Sequence, residues 1–424
     1  MLKTTQRSLR RIASTRFHRR YGVSSLVMPK NTFSARASAG AGRLEAASFS
    51  EVAAATTRGE RTGNAGNWST FSVLAAALAG MAGLGGTMTS ARESAVEDMK
   101  IFTGNANEDL SKDICAMLGL PLGEITVGRF ADGEAKIAVH ENVRGKDVYI
   151  IQPTSPPVNE HLVELLLMVS TMRRASADKI TCVIPYYGYA RQDRKMQARV
   201  PISAADIARL LEAVGVDRVV AVDLHCGQIQ GFFGPRVPVD NLQAANVGVQ
   251  YFSKKDLRNI VIVSPDAGGV HRAKVFREGI NASVPGADAG LAMIIKQRHR
   301  ANQVGRMDLV GNVEDTDCII VDDMIDTAGT LTAAANHLKE NGARRVYAFA
   351  SHGVLSGPAV ERIDHSKLEE VVVVNTVPLQ PNARACRKIT QLSVAPLIAE
   401  AIRRVHTRQS VSALFGGSSG KEEE

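Results

Sequence analysis

The stretch Cys318-Ile319-Ile320-Val321-Asp322-Asp323-Met324-Ile325-Asp326-Thr327-Ala328-Gly329-Thr330-Leu331 decides how the chain is read. Its apolar run predicts a strand that stops at two adjacent carboxylates, Asp322 and Asp323. A short loop of small and hydroxyl residues follows, and residues 331–338 then read as a helix. The start of a helix offers free backbone N–H groups and the positive end of the helix dipole, which suits a phosphate. Ala328 and Gly329 let the backbone approach an anion closely, while Thr327 and Thr330 add hydroxyl donors. Asp322 and Asp323 could hold sugar hydroxyls or a magnesium ion. The same letters also fit an ordinary strand–turn–helix capped by Asp326.

Further strand-like runs lie at residues 148–152, 180–184, 219–222, 260–263, 346–350 and 371–374. Between them Leu162, Leu165, Leu166 and Val169 fall at helical spacing, as do Ile207, Leu210, Leu211 and Val214. Ser203 reads as the N-cap of the second helix, with Asp206 three places on. Such alternation predicts an α/β fold of mostly parallel sheets with helices on both faces. In these folds ligands sit beyond the carboxyl ends of the strands. Polar clusters fall there three times: Asp223 with His225, Asp266 with Gly268 and Gly269, and Asp322 with Asp323. Asp223 and His225, two apart, would share one side of an extended strand end.

Charge is unevenly placed over the 424 residues. The first 44 carry ten Lys or Arg and the first acid is Glu45, so the net +8 leaves about −2 for the remainder. The folded body therefore gives no case for nucleic-acid binding. An Arg- and Ser-rich leader without acids reads as an organelle transit segment, mitochondrial first and plastid second, with a disordered basic tail third. Residues 71–89 carry no charge but are built of Ala and Gly, and read as part of that leader; a membrane anchor or sorting signal is the alternative. The five cysteines show no CxxC pair and no metal-ligand spacing, so no disulfide framework is implied. Four segments result: a leader and flexible stretch at 1–96, two α/β halves at 97–245 and 246–415, and a tail at 416–424.

Other clusters carry chemistry. Tyr189-Ala190-Arg191-Gln192-Asp193-Arg194-Lys195 concentrates cations after a strand and turn; Arg191 could fork onto a triphosphate, and Gln192 and Asp193 could read a base or ribose. Gly128-Arg129-Phe130-Ala131-Asp132-Gly133-Glu134 sets an aromatic beside two carboxylates, which suits a purine or simply a polar turn. Lys296-Gln297-Arg298-His299-Arg300 is a short cationic run of the kind a transferring phosphoryl group needs, or else a solvent-facing charged strand.

In this order the clusters GRFADGE, PYYGYARQDRK, DLHCGQIQGFF, VSPDAGGV and VDDMIDTAGT resemble those of the ribose-phosphate pyrophosphokinase family, over residues 99–415. The resemblance implies two tandem halves of the type I phosphoribosyltransferase kind. It also implies transfer of the diphosphoryl group of ATP to ribose 5-phosphate, giving phosphoribosyl pyrophosphate (PRPP) and AMP, with Mg2+. By the family's pattern Lys296 and Arg298 are catalytic, and Phe130, Asp132, Gly133, Glu134, Arg191, Gln192 and Asp193 bind ATP. Asp322, Asp323, Asp326, Thr327, Ala328, Gly329 and Thr330 bind ribose 5-phosphate; Asp223, His225 and Asp266 contact metal. Arg144, Arg199, Ser410 and Ser412 resemble a regulatory site for phosphate and ADP. A homo-oligomer, a hexamer built of dimers, is implied as well. The alternative is a non-catalytic associated subunit, which keeps the fold but loses parts of these loops. One segment departs from the pattern: residues 234–240 are longer than in the family and lack its first Asp, although Asp240 is kept.

Overall fold

The computed structural model describes residues 98–296 and 307–414. The leader with residues 71–89, Arg298 and residues 415–424 lie outside the described residues. The first half holds β1 (Met99–Thr103), α1 (Glu108–Leu118), a hairpin of β2 (Ile125–Arg129) and β3 (Ala135–Val139), and β4 (Asp147–Ile151). It continues through α2 (Val158–Arg174), β5 (Lys179–Ile184), α3 (Ser203–Val214), β6 (Arg218–Val222) and β7 (Val239–Leu242). The second half holds α4 (Ala245–Phe252), β8 (Ile260–Ser264), α5 (Val270–Ser283), β9 (Gly290–Lys296), β10 (Met307–Val310), β11 (Asp317–Ile325) and α6 (Gly329–Glu340). Then come β12 (Arg345–Gly353), α7 (Ala359–Asp364), β13 (Glu370–Val374), α8 (Pro381–Ala385), β14 (Ile389–Leu392) and α9 (Ala395–His406).

The runs rich in Val and Ile form parallel strands because both faces are covered. The first sheet runs β1-β4-β5-β6-β7 and is parallel throughout. The second runs β10-β9-β8-β11-β12-β13-β14, parallel except for its edge strand β10. The β2–β3 hairpin is a separate two-stranded sheet.

One apolar core joins the halves. Met99, Ile114 and Tyr149 of the first half pack in the same cluster as Phe276, Phe349 and Ile402 of the second. Helix α9, from the end of the chain, lies against α1, and His406 Nδ1 lies 2.8 Å from Asp147 Oδ2 at the start of β4. Close packing shows at Gly248 in α4, where a Cβ would come within 2.5 Å of the Phe349 ring. Among the described residues no helix is long and apolar enough to cross a membrane.

Three local expectations are corrected. The strand at Asp322 does not stop at the carboxylates; β11 runs on to Ile325 because β12 pairs with it as far as Ile325↔Gly353. On the other side β8 leaves it after Ile320↔Val263, which opens the strand toward the cleft. Ser203 is not an N-cap but the first residue of α3, and its hydroxyl bonds the Gln192 carboxamide instead. Asp223 and His225 do not share a strand face, because β6 ends at Val222 and Asp223 turns left-handed at φ 41°.

Candidate active site

The polar clusters meet above the carboxyl ends of β6, β8 and β11. His225 Nδ1 lies 2.8 Å from Asp323 Oδ2, which joins the two halves across 98 positions of sequence. Asp323 is nearly buried, at 5% side-chain exposure. Arg272, in the first turn of α5, stands 3.5 Å from Asp323 Oδ1 and 3.6 Å from Asp322 Oδ1. Arg191 Nη1 reaches Asp326 Oδ2 at 2.7 Å, a second link between the halves. A cavity of about 240 Å³ is walled by Arg191, Asp266, Asp322, Asp326 and the 327–331 loop. A second, of about 450 Å³, has His225, Gln228 and Arg272 in its wall.

The two neighbouring carboxyls are driven apart electrostatically. Burial, followed by the charge of Asp323, pushes the Asp322 carboxyl above its ordinary range. Burial also penalises Asp323, but the His225 hydrogen bond and Arg272 outweigh it and hold that carboxyl below its ordinary range. The same hydrogen bond raises the His225 imidazole. Two coupled acids with opposite shifts are a common mark of a functional cleft.

The loop after β11 leaves the N-terminus of α6 without a capping side chain. Asp326 does not cap it, because its carboxylate faces Arg191, and the orphan N–H groups of the first turn remain available to an anion. The left-handed position falls on Ala328 (φ 57°), not on Gly329, which is the first helical residue. Thr327 and Thr330 are exposed there. After β8, Asp266 is exposed and its Oδ1 accepts the Gly269 N–H at 3.0 Å, which folds the Asp-Ala-Gly-Gly loop under the start of α5.

The other expected residues differ in their surroundings, and Asp223, which lines the second cavity, is internally hydrogen-bonded. Asp223 Oδ2 accepts the Ala244 N–H at 2.9 Å and the Ser351 hydroxyl, and its carbonyl accepts His352 Nε2–H at 3.2 Å. Asp193 is buried and accepts from Gln228 Nε2 at 2.9 Å and from the Cys226 thiol, so it braces the His225 loop from below. Phe130, Asp132, Gly133 and Glu134 form the exposed tip of the β2–β3 hairpin, with Phe130 52% exposed. Lys296 is the last residue of β9. Among the described residues no hydrogen bond or ion pair joins Arg144 or Arg199 to the segment holding Ser410 and Ser412. Arg144 bonds Ser176 Oγ at 3.1 Å, and the Ser410 carbonyl accepts from Arg404 at 2.8 Å. The altered segment 234–240 leads into the amino end of β7, where Asp240 pairs with Arg218 at 2.6 Å, at the opposite edge from the cleft. Arg272, Ser351 and His352 carry no local motif and were not singled out in the sequence.

Known proteins share this arrangement. A family model described as the N-terminal domain of ribose phosphate pyrophosphokinase matches residues 99–215. One described as the phosphoribosyl synthetase-associated domain matches residues 291–416. The ribose-phosphate pyrophosphokinase of Bacillus subtilis (strain 168) is 52% identical over 319 residues, covering 75% of this chain and 98% of that protein. That of Helicobacter pylori is 50% identical over 323 residues, 76% of this chain and 98% of its own length. The crystal structure of phosphoribosylpyrophosphate synthetase from Mycobacterium smegmatis superposes with a TM-score of 0.68 at 39% identity, covering 73% of this chain and 99% of that one. With half of all positions identical along almost the full length of such relatives, and the acidic and phosphate-binding loops gathered in one cleft, the chain belongs to the ribose-phosphate pyrophosphokinase family.

Proposed function

We propose that this enzyme transfers the β,γ-diphosphoryl group of ATP to the anomeric hydroxyl of ribose 5-phosphate, giving PRPP and AMP. The observation that carries the reading is the Arg191–Asp326 contact, which brings a cation of the nucleotide half into the wall of the phosphate-binding cavity. The uncapped N-terminus of α6, with Thr327 and Thr330, takes the 5-phosphate; Asp322 and Asp323 take the ribose hydroxyls. Attack at the β-phosphorus spreads charge over the transferred group and the leaving AMP, so fixed cations lower the barrier. Arg191 is placed for that, and Lys296 and Arg298 are assigned the same task by their positions in the family pattern.

The donors fit magnesium. Asp266 exposes a carboxylate in the wall of the smaller cavity and His225 an imidazole in the wall of the larger one. Among the described residues no group of three or more acids, histidines or cysteines forms a metal cage, and Mg2+ bound through one or two side chains plus phosphates and waters needs none. When bound it neutralises phosphate charge. Asp223, its carboxylate already engaged by Ser351 and Ala244, supports the His225 turn.

The exposed Phe130 tip supports an adenine site completed by a neighbouring copy, hence a homo-oligomer of dimers assembling to a hexamer. Arg144 and Arg199 supply cations, and Ser410 and Ser412 hydroxyls, of the kind that would hold a phosphate or ADP effector. The acid-free basic leader supports mitochondrial import.

Purified protein supplied with Mg2+, ATP and ribose 5-phosphate should release AMP and PRPP in equal amounts. Lys296→Ala should lower turnover by orders of magnitude while ATP binding persists, because its charge acts mainly in the transition state. No AMP at any phosphate concentration would overturn the reading; activity flat across phosphate would remove the effector site alone.

A further inference from the structure

The hairpin that carries Phe130 has no ladder hydrogen bonds to either main sheet. Its body packs through Ile125, Val127, Ile137 and Val139, each only partly buried. Apolar contact of this kind is non-directional, and a lone two-stranded ribbon is marginally stable. Something directional must set the angle at which the tip leaves the molecule.

Arg129, the last residue of β2 and the one before Phe130, supplies it. Its Nη1 lies 2.8 Å from Glu164 Oε1 and its Nη2 2.9 Å from Glu160 Oε2, two carboxylates one turn apart on α2. Nη1 also reaches its own strand at Gly128 O, 3.2 Å away. Glu160 is exposed, but the Glu164 side chain is at 0%. That buried carboxylate is further held by Asn105 Nδ2 at 2.9 Å and Gln152 Nε2 at 2.8 Å. Asn105 simultaneously donates to Val127 O in β2 at 3.1 Å. Gln152, at the end of β4, accepts Ala106 N–H at 3.0 Å, and a Cβ on Gly104 would collide with it at 2.4 Å. The hairpin root is thus referenced to the carboxyl ends of β1 and β4.

A buried charge is costly unless paired and hydrogen-bonded. A glutamine at 164 would remove that cost and keep one acceptor oxygen, enough for Asn105 or Gln152 but not for both, since they bond separate oxygens. The negative charge has one additional use there, the Arg129 guanidinium, whose planar fork fixes direction as well as distance. We propose that Glu164, which lines neither cavity, is a positioning residue for nucleotide binding: through Arg129 it sets the orientation of the Phe130–Glu134 tip. This rests on the reading of that tip as the adenine site.

The full-length protein tests it by separating the two substrates. Glu164→Gln should raise the KM for ATP about tenfold and leave the KM for ribose 5-phosphate within about twofold. Hydrogen exchange at the Phe130 amide, which bonds Glu134 O at 2.8 Å, should quicken in the same variant. Glu164→Asp should restore part of the ATP affinity, and Arg129→Lys, which keeps the charge but loses the fork, should reproduce the defect even if Glu164→Gln folds poorly. Equal changes in both KM values with a lower melting point would mean a merely structural role and overturn the proposal. Phe130→Ala separates the two layers: if it weakens ATP while Glu164→Gln and Arg129→Lys do not, the positioning role is wrong. If Phe130→Ala itself leaves ATP untouched, the adenine reading fails and the proposal falls with it.

Discussion

Strand β11 begins at one acid, Asp317, and carries two more, Asp322 and Asp323, toward its carboxyl end, and the two acidic sites are built differently. At its start Asp317 is fully buried and fully satisfied. Its carboxylate receives Arg345 Nη2 at 2.7 Å and Nε at 3.1 Å, the Arg258 N–H at 2.8 Å, and Arg344. Toward its carboxyl end Asp322 and Asp323 share a single arginine at 3.5–3.6 Å, and only Asp323 also has the His225 imidazole, 2.8 Å away. Burial raises Asp317 too, but its arginines and backbone donor bring it below the ordinary range, whereas Asp322 is left above it. The start of the strand is electrostatically closed and serves stability. The far end is short of positive charge, which is the condition for taking up a cation or hydroxyl donors from a substrate.

The sharpest way to break this contrast is at Asp323. Asp323→Asn removes the charge and one of the two acceptor oxygens that face His225 and Arg272 and, if Asp322 and Asp323 hold the ribose hydroxyls as proposed, should lower kcat/KM about 100- to 10,000-fold. The melting point should move little, because that end of the strand is not where stability resides. A large loss of stability with activity per folded molecule preserved would show that the far end is structural and the contrast false.

Asp317 should behave inversely. Asp317→Asn leaves two arginines facing a neutral amide, a loss of roughly 3 kcal/mol seen in chemical denaturation, with KM values unchanged in the folded fraction. The pH dependence follows from the direction of the shift. A carboxyl held low when folded contributes stability that is complete above its unfolded value, about 3.9, and fades as pH falls through the lower folded value. The gap between the wild type and Asp317→Asn should therefore narrow below about pH 4. Asp322 has the opposite sign, since a raised carboxyl subtracts from stability once pH passes its unfolded value. A gap that stays constant down to pH 2 would place the Asp317 effect in packing rather than charge.

What was legible in the sequence divides along similar lines. The parallel strands were visible because continuous β-branched runs have few other uses, and the loop chemistry was visible because Asp322 to Thr330 are contiguous. The end of β11 was not, because adjacent aspartates resemble a stop while the pairing that extends the strand comes from β12 alone. Asp223 was misplaced for a related reason: nothing local announces a left-handed aspartate, and the groups that hold it, Ala244 and Ser351, lie 21 and 128 positions away. Arg272 and Glu164 were silent altogether. Their partners are distant in sequence, and one arginine or glutamate on a helix looks like any other.

The smallest effect concerns the loop that follows the strand. Ala328 sits at φ 57°, ψ 1°, which costs an L-residue about 1–2 kcal/mol. Ala328→Gly relieves that strain, but the unfolded chain gains freedom worth about 0.5–1 kcal/mol. The methyl, buried in the core of the second half, is worth about 0.8 kcal/mol more. The terms nearly cancel, so stability should change by less than about 1 kcal/mol. Binding should not be so indifferent. If the strained alanine holds the loop in its phosphate-accepting shape before substrate arrives, glycine loosens it and ordering must occur on binding. The KM for ribose 5-phosphate should then rise about two- to fivefold with the KM for ATP unmoved. An unchanged KM for ribose 5-phosphate would show that the neighbouring packing, from Arg362 Nη1 on the Thr327 carbonyl at 2.9 Å, fixes the loop by itself. The contrast between the two ends of β11 would then be one of charge alone and not of backbone strain.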